Sequence, residues 1–207
     1  MTTTEVVESP DTQGQDTRTR SWGDISVSLT RQIAQLAEHR RGDLAELRRM
    51  DPDNPDAAVF WRLLAENELL NSGEAVEGKW ALILHGIALM TPANSGDDNP
   101  QTAHDGYMRV GRALYLGGET QRAQGFYSES RLNRLLTAQG PMLRTLLARM
   151  FRMSAASGVS FNWREMAQFI LNQDYNEDAA DQGRRRIARD YYQAERRNSQ
   201  QSEAQGG

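Results

Sequence analysis

The chain has 207 residues, no cysteine, 38% hydrophobic residues and a formal net charge of −4. That length suffices to bury a core without metal or disulfide staples. The missing thiols exclude a disulfide framework, a thiolate zinc site, an iron–sulfur cluster and a cysteine nucleophile.

Residues 1–22 are polar and aperiodic, without the basic head, apolar stretch and small-residue cleavage site of a signal peptide. They are expected to form a flexible tail, as are residues 198–207 (NSQQSEAQGG). Between the tails the pattern is helical. Ile25, Leu29, Ile33 and Leu36 draw one apolar stripe, predicting a helix from about Ile25 to Arg40. Gly42-Asp43 ends it, with Asp43 expected to cap a short helix through Leu44, Leu47 and Met50. After the loop Asp51-Pro-Asp-Asn-Pro, Asp56 is expected to cap a helix carrying Val59, Phe60, Leu63, Leu64 and Leu70. Lys79 to Met90 is apolar on nearly every side, so it is predicted to be a buried central helix; its apolar run from Trp80 falls well short of the roughly 20 residues that span a bilayer. A soluble, cytoplasmic protein is expected.

The stretch 91–104, rich in Pro, Gly, Asn and Asp, reads as a linker. Helical patterns resume at Tyr107–Leu116, near Gln121–Ala138, after Gly140-Pro141 through Leu143, Leu146, Leu147 and Met150, after Phe161-Asn162-Trp163, and at Asp181–Arg197. No strand-like alternation appears. The expected fold is all-α: two small helical bundles, 23–96 and 107–197, joined by a linker at 97–106 and packed into one compact body.

Catalytic signatures fail. There is no glycine-rich phosphate loop, no H-E-x-x-H and no G-x-S-x-G elbow. His39, His85 and His104 are isolated, and His85 reads as a core histidine. The acidic loop Asp51–Asp56 lacks the glycine of a calcium loop and puts Arg62 where its bidentate glutamate belongs. No enzyme activity, metal or cofactor is expected.

Charge is distributed unevenly. Residues 1–100 hold 9 basic and 17 acidic side chains, residues 101–207 hold 15 and 11. Between Arg109 and Arg164, nine arginines face only Glu119 and Glu129. Arg109/Arg112, Arg131/Arg134 and Arg149/Arg152 are spaced three apart, hence on one side of a helix, and Arg144 adds to the same density. Arg40, Arg41, Arg48 and Arg49 form a second basic segment. Guanidinium groups bind phosphate oxygens bidentately, and phosphate contacts carry affinity without reading sequence. The competing reading is that of ordinary solvated faces, with Arg131 paired to Glu129. Phe126, Tyr127 and Phe151 lie near these arginines, but the spacing assigns no stacking role, and Trp22, Trp61, Trp80 and Trp163 read as packing residues.

Five segments then gain meaning together. Gly42-Asp-Leu-Ala-Glu-Leu-Arg-Arg49, Val59-Phe-Trp-Arg-Leu-Leu64, Ser128-Glu-Ser-Arg-Leu-Asn-Arg-Leu-Leu136, Phe161-Asn-Trp163 and Arg185-Arg-Ile-Ala-Arg-Asp-Tyr-Tyr192 occur in the order seen in the CasB family. The chain resembles that family, the small subunit of the type I-E CRISPR surveillance complex, Cascade. It departs at Asn162, where Asp is usual, and in a long 91–105 loop. The resemblance implies an all-helical, non-catalytic subunit, two copies of which lie head to tail against the other subunits. It implies sequence-indifferent contacts to guide RNA and target DNA near their heteroduplex and the displaced strand, base pairing supplying the sequence choice. Arg48, Arg49, Arg131 and Arg134 fall inside family motifs; Arg109, Arg112, Arg144, Arg149 and Arg152 join them on spacing and charge. The alternative function is a purely architectural adaptor whose acidic N-terminal half docks a basic partner.

Overall fold

A computed structural model describes residues 20–92, 101–117 and 125–205. The helices in them are α1 (Trp22–His39), α2 (Arg41–Arg49), α3 (Ala58–Glu66), α4 (Glu74–Met90), α5 (Val110–Leu116), α6 (Glu129–Thr137), α7 (Gly140–Ala156), α8 (Trp163–Asn172) and α9 (Glu177–Gln205). No β-strand occurs among the described residues; a lone parallel bridge pairs His104 with Phe161. The all-α expectation holds. The tail at 1–19, residues 97–100 of the linker and the start of the helix expected near Gln121 lie outside the described residues.

The order of packing follows from α4. Every residue from Trp80 to Ala88 is buried, so this helix needs neighbours on all sides. It obtains them from both halves of the chain: α1 and α2 on one side, α7 and α8 on the other. At Gly86 the missing side chain leaves room for Phe151 of α7 and Trp163 of α8, whose rings would collide with any Cβ there. A single apolar core results, running from Ile25 through Trp80, Phe151 and Trp163 to Tyr191. Arg164 of α8 fastens this junction at the surface through Asp24 of α1, 2.6 Å away.

α5 lies along α9. A Cβ at Gly111 would run into the Ile187 carbonyl oxygen and the Asp190 side chain, so glycine sets this close approach. The last carbonyls of α5 do not end in water: Leu114 and Tyr115 accept from the N–H groups of Tyr127 and Phe126, both at 2.8 Å. Those bonds place the entry to α6 beside α5, and the Tyr191 hydroxyl of α9 donates to the Tyr127 carbonyl at 2.7 Å. α6 then packs on both α7 and α9.

Several caps differ from expectation. Asp43 lies inside α2 and binds Arg40 and Arg62 instead of capping. α3 begins after Ala57, and Glu46 Oε1, not Asp56, accepts from the Ala58 N–H at 2.9 Å. α3 stops at Glu66, leaving Leu70 outside it and 44% exposed while Leu69 is buried. Trp61, expected to pack, is 41% exposed. Asn162 does cap α8, accepting from Arg164 N at 3.0 Å and Glu165 N at 3.4 Å. α9 continues over residues 198–205, the stretch expected to be a tail. That stretch contains no glycine or proline, and Ser199 and Ser202 bond back to the carbonyls four residues earlier.

The described part of the linker is pinned. The Asp105 N–H donates to the Phe161 carbonyl at 3.1 Å, Asn162 Nδ2 to the Gly106 carbonyl at 3.1 Å, and the Trp163 N–H to His104 Nδ1 at 3.0 Å. His104 Nδ1 is therefore unprotonated, and burial holds its pKa below the usual imidazole value. Burial also lowers the pKa of His85, whose Nδ1 donates to the Leu47 carbonyl at 3.0 Å while Nε2 is enclosed without a partner.

Gly111→Ala is expected to push α5 off α9 and cost roughly 1–3 kcal/mol, read as a lowered melting temperature. Both histidines bind a proton more weakly in the folded than in the unfolded chain. Their contribution to stability is therefore complete above about pH 6.5 and lost as pH falls through the folded-state values. Urea unfolding at a series of pH values should show stability falling from pH 7 to pH 5, with a shallower fall in His104→Gln.

Candidate nucleic-acid interface

The nine arginines singled out by sequence divide according to what surrounds each guanidinium. Arg48 is half-buried: its Nε donates to the Ala88 carbonyl at 2.8 Å and an Nη to the Thr91 carbonyl at 2.5 Å. It thus closes the C-terminus of α4, where the helix dipole favours a cation, and burial lowers its pKa from the usual guanidinium value. Lys79 does the same for α8, donating to the carbonyls of Leu171 and Gln173. Arg144 joins α7 to the acidic loop and α4, pairing with Asp53 at 2.7 Å and donating to the carbonyls of Pro52 and Gly78. Arg109 is held by Asp190 at 2.9 Å and Glu165 at 3.6 Å. Of the nine, Arg48, Arg109 and Arg144 are thus occupied within the fold.

The others remain at the surface. Arg131 and Arg134 of α6 and Arg149 of α7 rim one groove of about 300 Å³, floored by Tyr127, Leu146, Met150 and Met153. All three are exposed and have no ion pair among the described residues. The expected competitor for Arg131 is otherwise engaged, since Glu129 accepts the Tyr192 hydroxyl at 2.8 Å; Arg131 reaches only Met153 Sδ, at 3.5 Å. Burial raises the Tyr127 pKa, and the fields of Arg131 and Arg134 oppose that rise. Arg152, three residues on, acts on His85 of α4. Arg49 is exposed at the end of α2.

A second basic cleft lies between α5 and α9, where Arg112 meets Arg197. α9 connects the two sites. Arg185, Arg189 and Arg196 are spaced four and seven residues apart, so they share one line of the helix, opposite the buried Ile187, Tyr191 and Ala194. On one flank of that line Tyr192 reaches α6; on the other, Gln193 and Arg197 line the α5 cleft. The three line arginines are exposed and without an ion pair among the described residues. A basic belt therefore runs from the α6–α7 groove, over α9, to α5. The α9 segment carries one of the family-like motifs, yet its arginines stand outside the site residues expected from the sequence. Their four- and seven-residue spacing was the available signal.

Among the described residues no group of three His, Asp or Glu side chains is placed to hold a metal ion, and no helix is long and apolar enough to cross a membrane. The features in hand are those of a helical scaffold with a cationic outer belt. The family model of the CRISPR-associated protein Cse2 matches residues 43–192, the region spanned by the CasB-like motifs. The chain belongs to this family, Cse2 or CasB, and is accordingly a non-catalytic structural subunit. Its fold matches a chain of a solved CRISPR RNA-guided surveillance complex with a TM-score of 0.54, at 17% identity, over 88% of this chain and 99% of that one. Among curated proteins, none matches the chain.

Arg48→Ala leaves the enclosed Ala88 and Thr91 carbonyls without their donor and is expected to cost about 1–3 kcal/mol in urea unfolding. Arg149→Ala, at an exposed position, should leave unfolding within about 0.5 kcal/mol of the parent.

Proposed function

We propose that this chain is the small structural subunit of a type I-E Cascade complex in the cytoplasm, and that its arginine belt holds nucleic-acid backbone during target recognition. The carrying observation is the belt itself. Arg131, Arg134 and Arg149 on one side, Arg185, Arg189 and Arg196 across α9, and Arg112 with Arg197 on the other side all keep guanidinium groups free of carboxylate partners among the described residues. Family membership and the shared fold with a chain of an RNA-guided surveillance complex support the reading.

The physics assigns the belt a backbone role. Arginines on the outer faces of helices in a bundle meet phosphates and release counterions, but none projects from a helix shaped to enter a groove and read base edges. Sequence choice is then left to pairing between guide RNA and target DNA, while the subunit steadies the heteroduplex and the displaced strand. A second copy placed head to tail would extend the belt along the same strand. Docking to other subunits falls to the acidic half, where Trp61 stands exposed in a groove with Glu74 and Glu77, suited to a basic partner surface.

Fluorescence anisotropy titrations at several salt concentrations test the belt. The parent is expected to bind unrelated DNA sequences alike, with affinity falling steeply as salt rises. Arg131→Ala combined with Arg134→Ala should weaken every sequence similarly and flatten the salt slope by roughly one to two units. An unchanged slope in a folded double variant would remove the α6–α7 groove from the interface.

A further inference from the structure

We propose that the cleft between α5 and α9 seats one unstacked base of a single strand, with Tyr107 as the stacking platform and Arg112 and Arg197 on the flanking phosphates. This deepens the backbone-holding reading above and rests on it.

The cleft has a volume of about 310 Å³, at the small end of the range for ligand pockets. Tyr107 stands at its mouth with 97% of its surface in water. Its backbone is nevertheless fixed. The Tyr107 and Met108 N–H groups donate to Asp105 Oδ1 at 2.9 and 3.1 Å, and the preceding Gly106 carbonyl accepts from Asn162 at the start of α8. A large ring presented to solvent from an ordered turn has little backbone entropy left to lose on binding a flat partner.

The charges around it are sorted to favour an anion. Among the described residues, the Asp190 and Glu165 carboxylates are engaged with Arg109, and Asp105 Oδ1 is taken up by the Tyr107 and Met108 N–H groups. Arg112 and Arg197 are thereby left without an internal partner among the described residues. The wall also carries carboxamides, Gln193 and Gln201, one turn before and one turn after Arg197 on α9. Each offers a donor and an acceptor, so it can meet the edge of any base. Ring, cations and amides together match the chemistry of single-strand binders, in which bases stack on aromatics beside a basic track. A base held in a duplex stack cannot present its face to Tyr107. The seat therefore distinguishes single strands from duplexes, which the arginine belt alone does not.

The test compares anisotropy titrations of an oligothymidylate, an abasic strand of equal length and a duplex. The full-length proteins are the parent, Tyr107→Ala, Tyr107→Phe and the Arg131→Ala/Arg134→Ala double variant. The parent is expected to prefer the oligothymidylate over the abasic strand by about fivefold or more. That preference should vanish in Tyr107→Ala and return in Tyr107→Phe, with duplex affinity unchanged in both. A preference retained in Tyr107→Ala, or absent from the parent, overturns the seat. If the double variant weakens all three ligands while the Tyr107 variants match the parent, the seat fails and the belt stands. If the parent binds none of the three, both fail.

Discussion

The whole arrangement depends on one helix that has no solvent face. Residues 80–88 of α4 are apolar or neutral throughout and enclosed on every side, which no half of the chain achieves alone. α1 and α2 cover it from the N-terminal half, α7 and α8 from the C-terminal half. Burying that surface is the main favourable term in assembling the two halves. The close contacts that follow, Phe151 and Trp163 against Gly86 above all, fix how α7 and α8 cross α4 and therefore which faces α6 and α9 turn outward.

Against that frame the cations separate into two populations. One meets electron-rich groups that the fold itself exposes. Arg48 and Lys79 close the C-termini of α4 and α8, Arg144 and Arg164 tie the halves together, and Arg109 compensates two carboxylates. The other population has no carboxylate partner among the described residues. A run of unpaired arginines costs a folded protein electrostatic self-repulsion, and a polyanion lying across it relieves that repulsion. Among the described residues, acids of the N-terminal half gather elsewhere, around the 51–56 loop and the start of α4, so the charge is unevenly spread over the molecule.

Much of this was legible from residue spacing. The apolar stripe at Ile25, Leu29, Ile33 and Leu36, the all-round apolar run at 80–90 and the Asn162 cap are local patterns, and local patterns survive folding. So does an i, i+3 arginine pair on a rigid helix, which is why Arg131 and Arg134 emerge side by side. Partner choice is not local. That Arg48 turns to the end of α4 forty residues on, or that Glu129 is taken by Tyr192 and not Arg131, depends on which helices meet. Residue type and position suit Asp43 and Asp56 to the capping role. They lost it to Arg40 and Arg62 in one case and to Glu46 in the other. The α9 arginines show the converse: resemblance marks their segment as a motif, while only its helical spacing reveals the cationic face.

In the proposed interface, nucleic acid lies on one belt spanning α6, α7, α9 and α5. Photo-crosslinking of a single strand to the intact chain, followed by mass spectrometry of the attached peptides, tests it most directly. Crosslinks should concentrate in peptides from residues 107–116, 126–153 and 185–201 and disappear at high salt. Crosslinks concentrated instead in residues 41–79, on the acidic half, would contradict it.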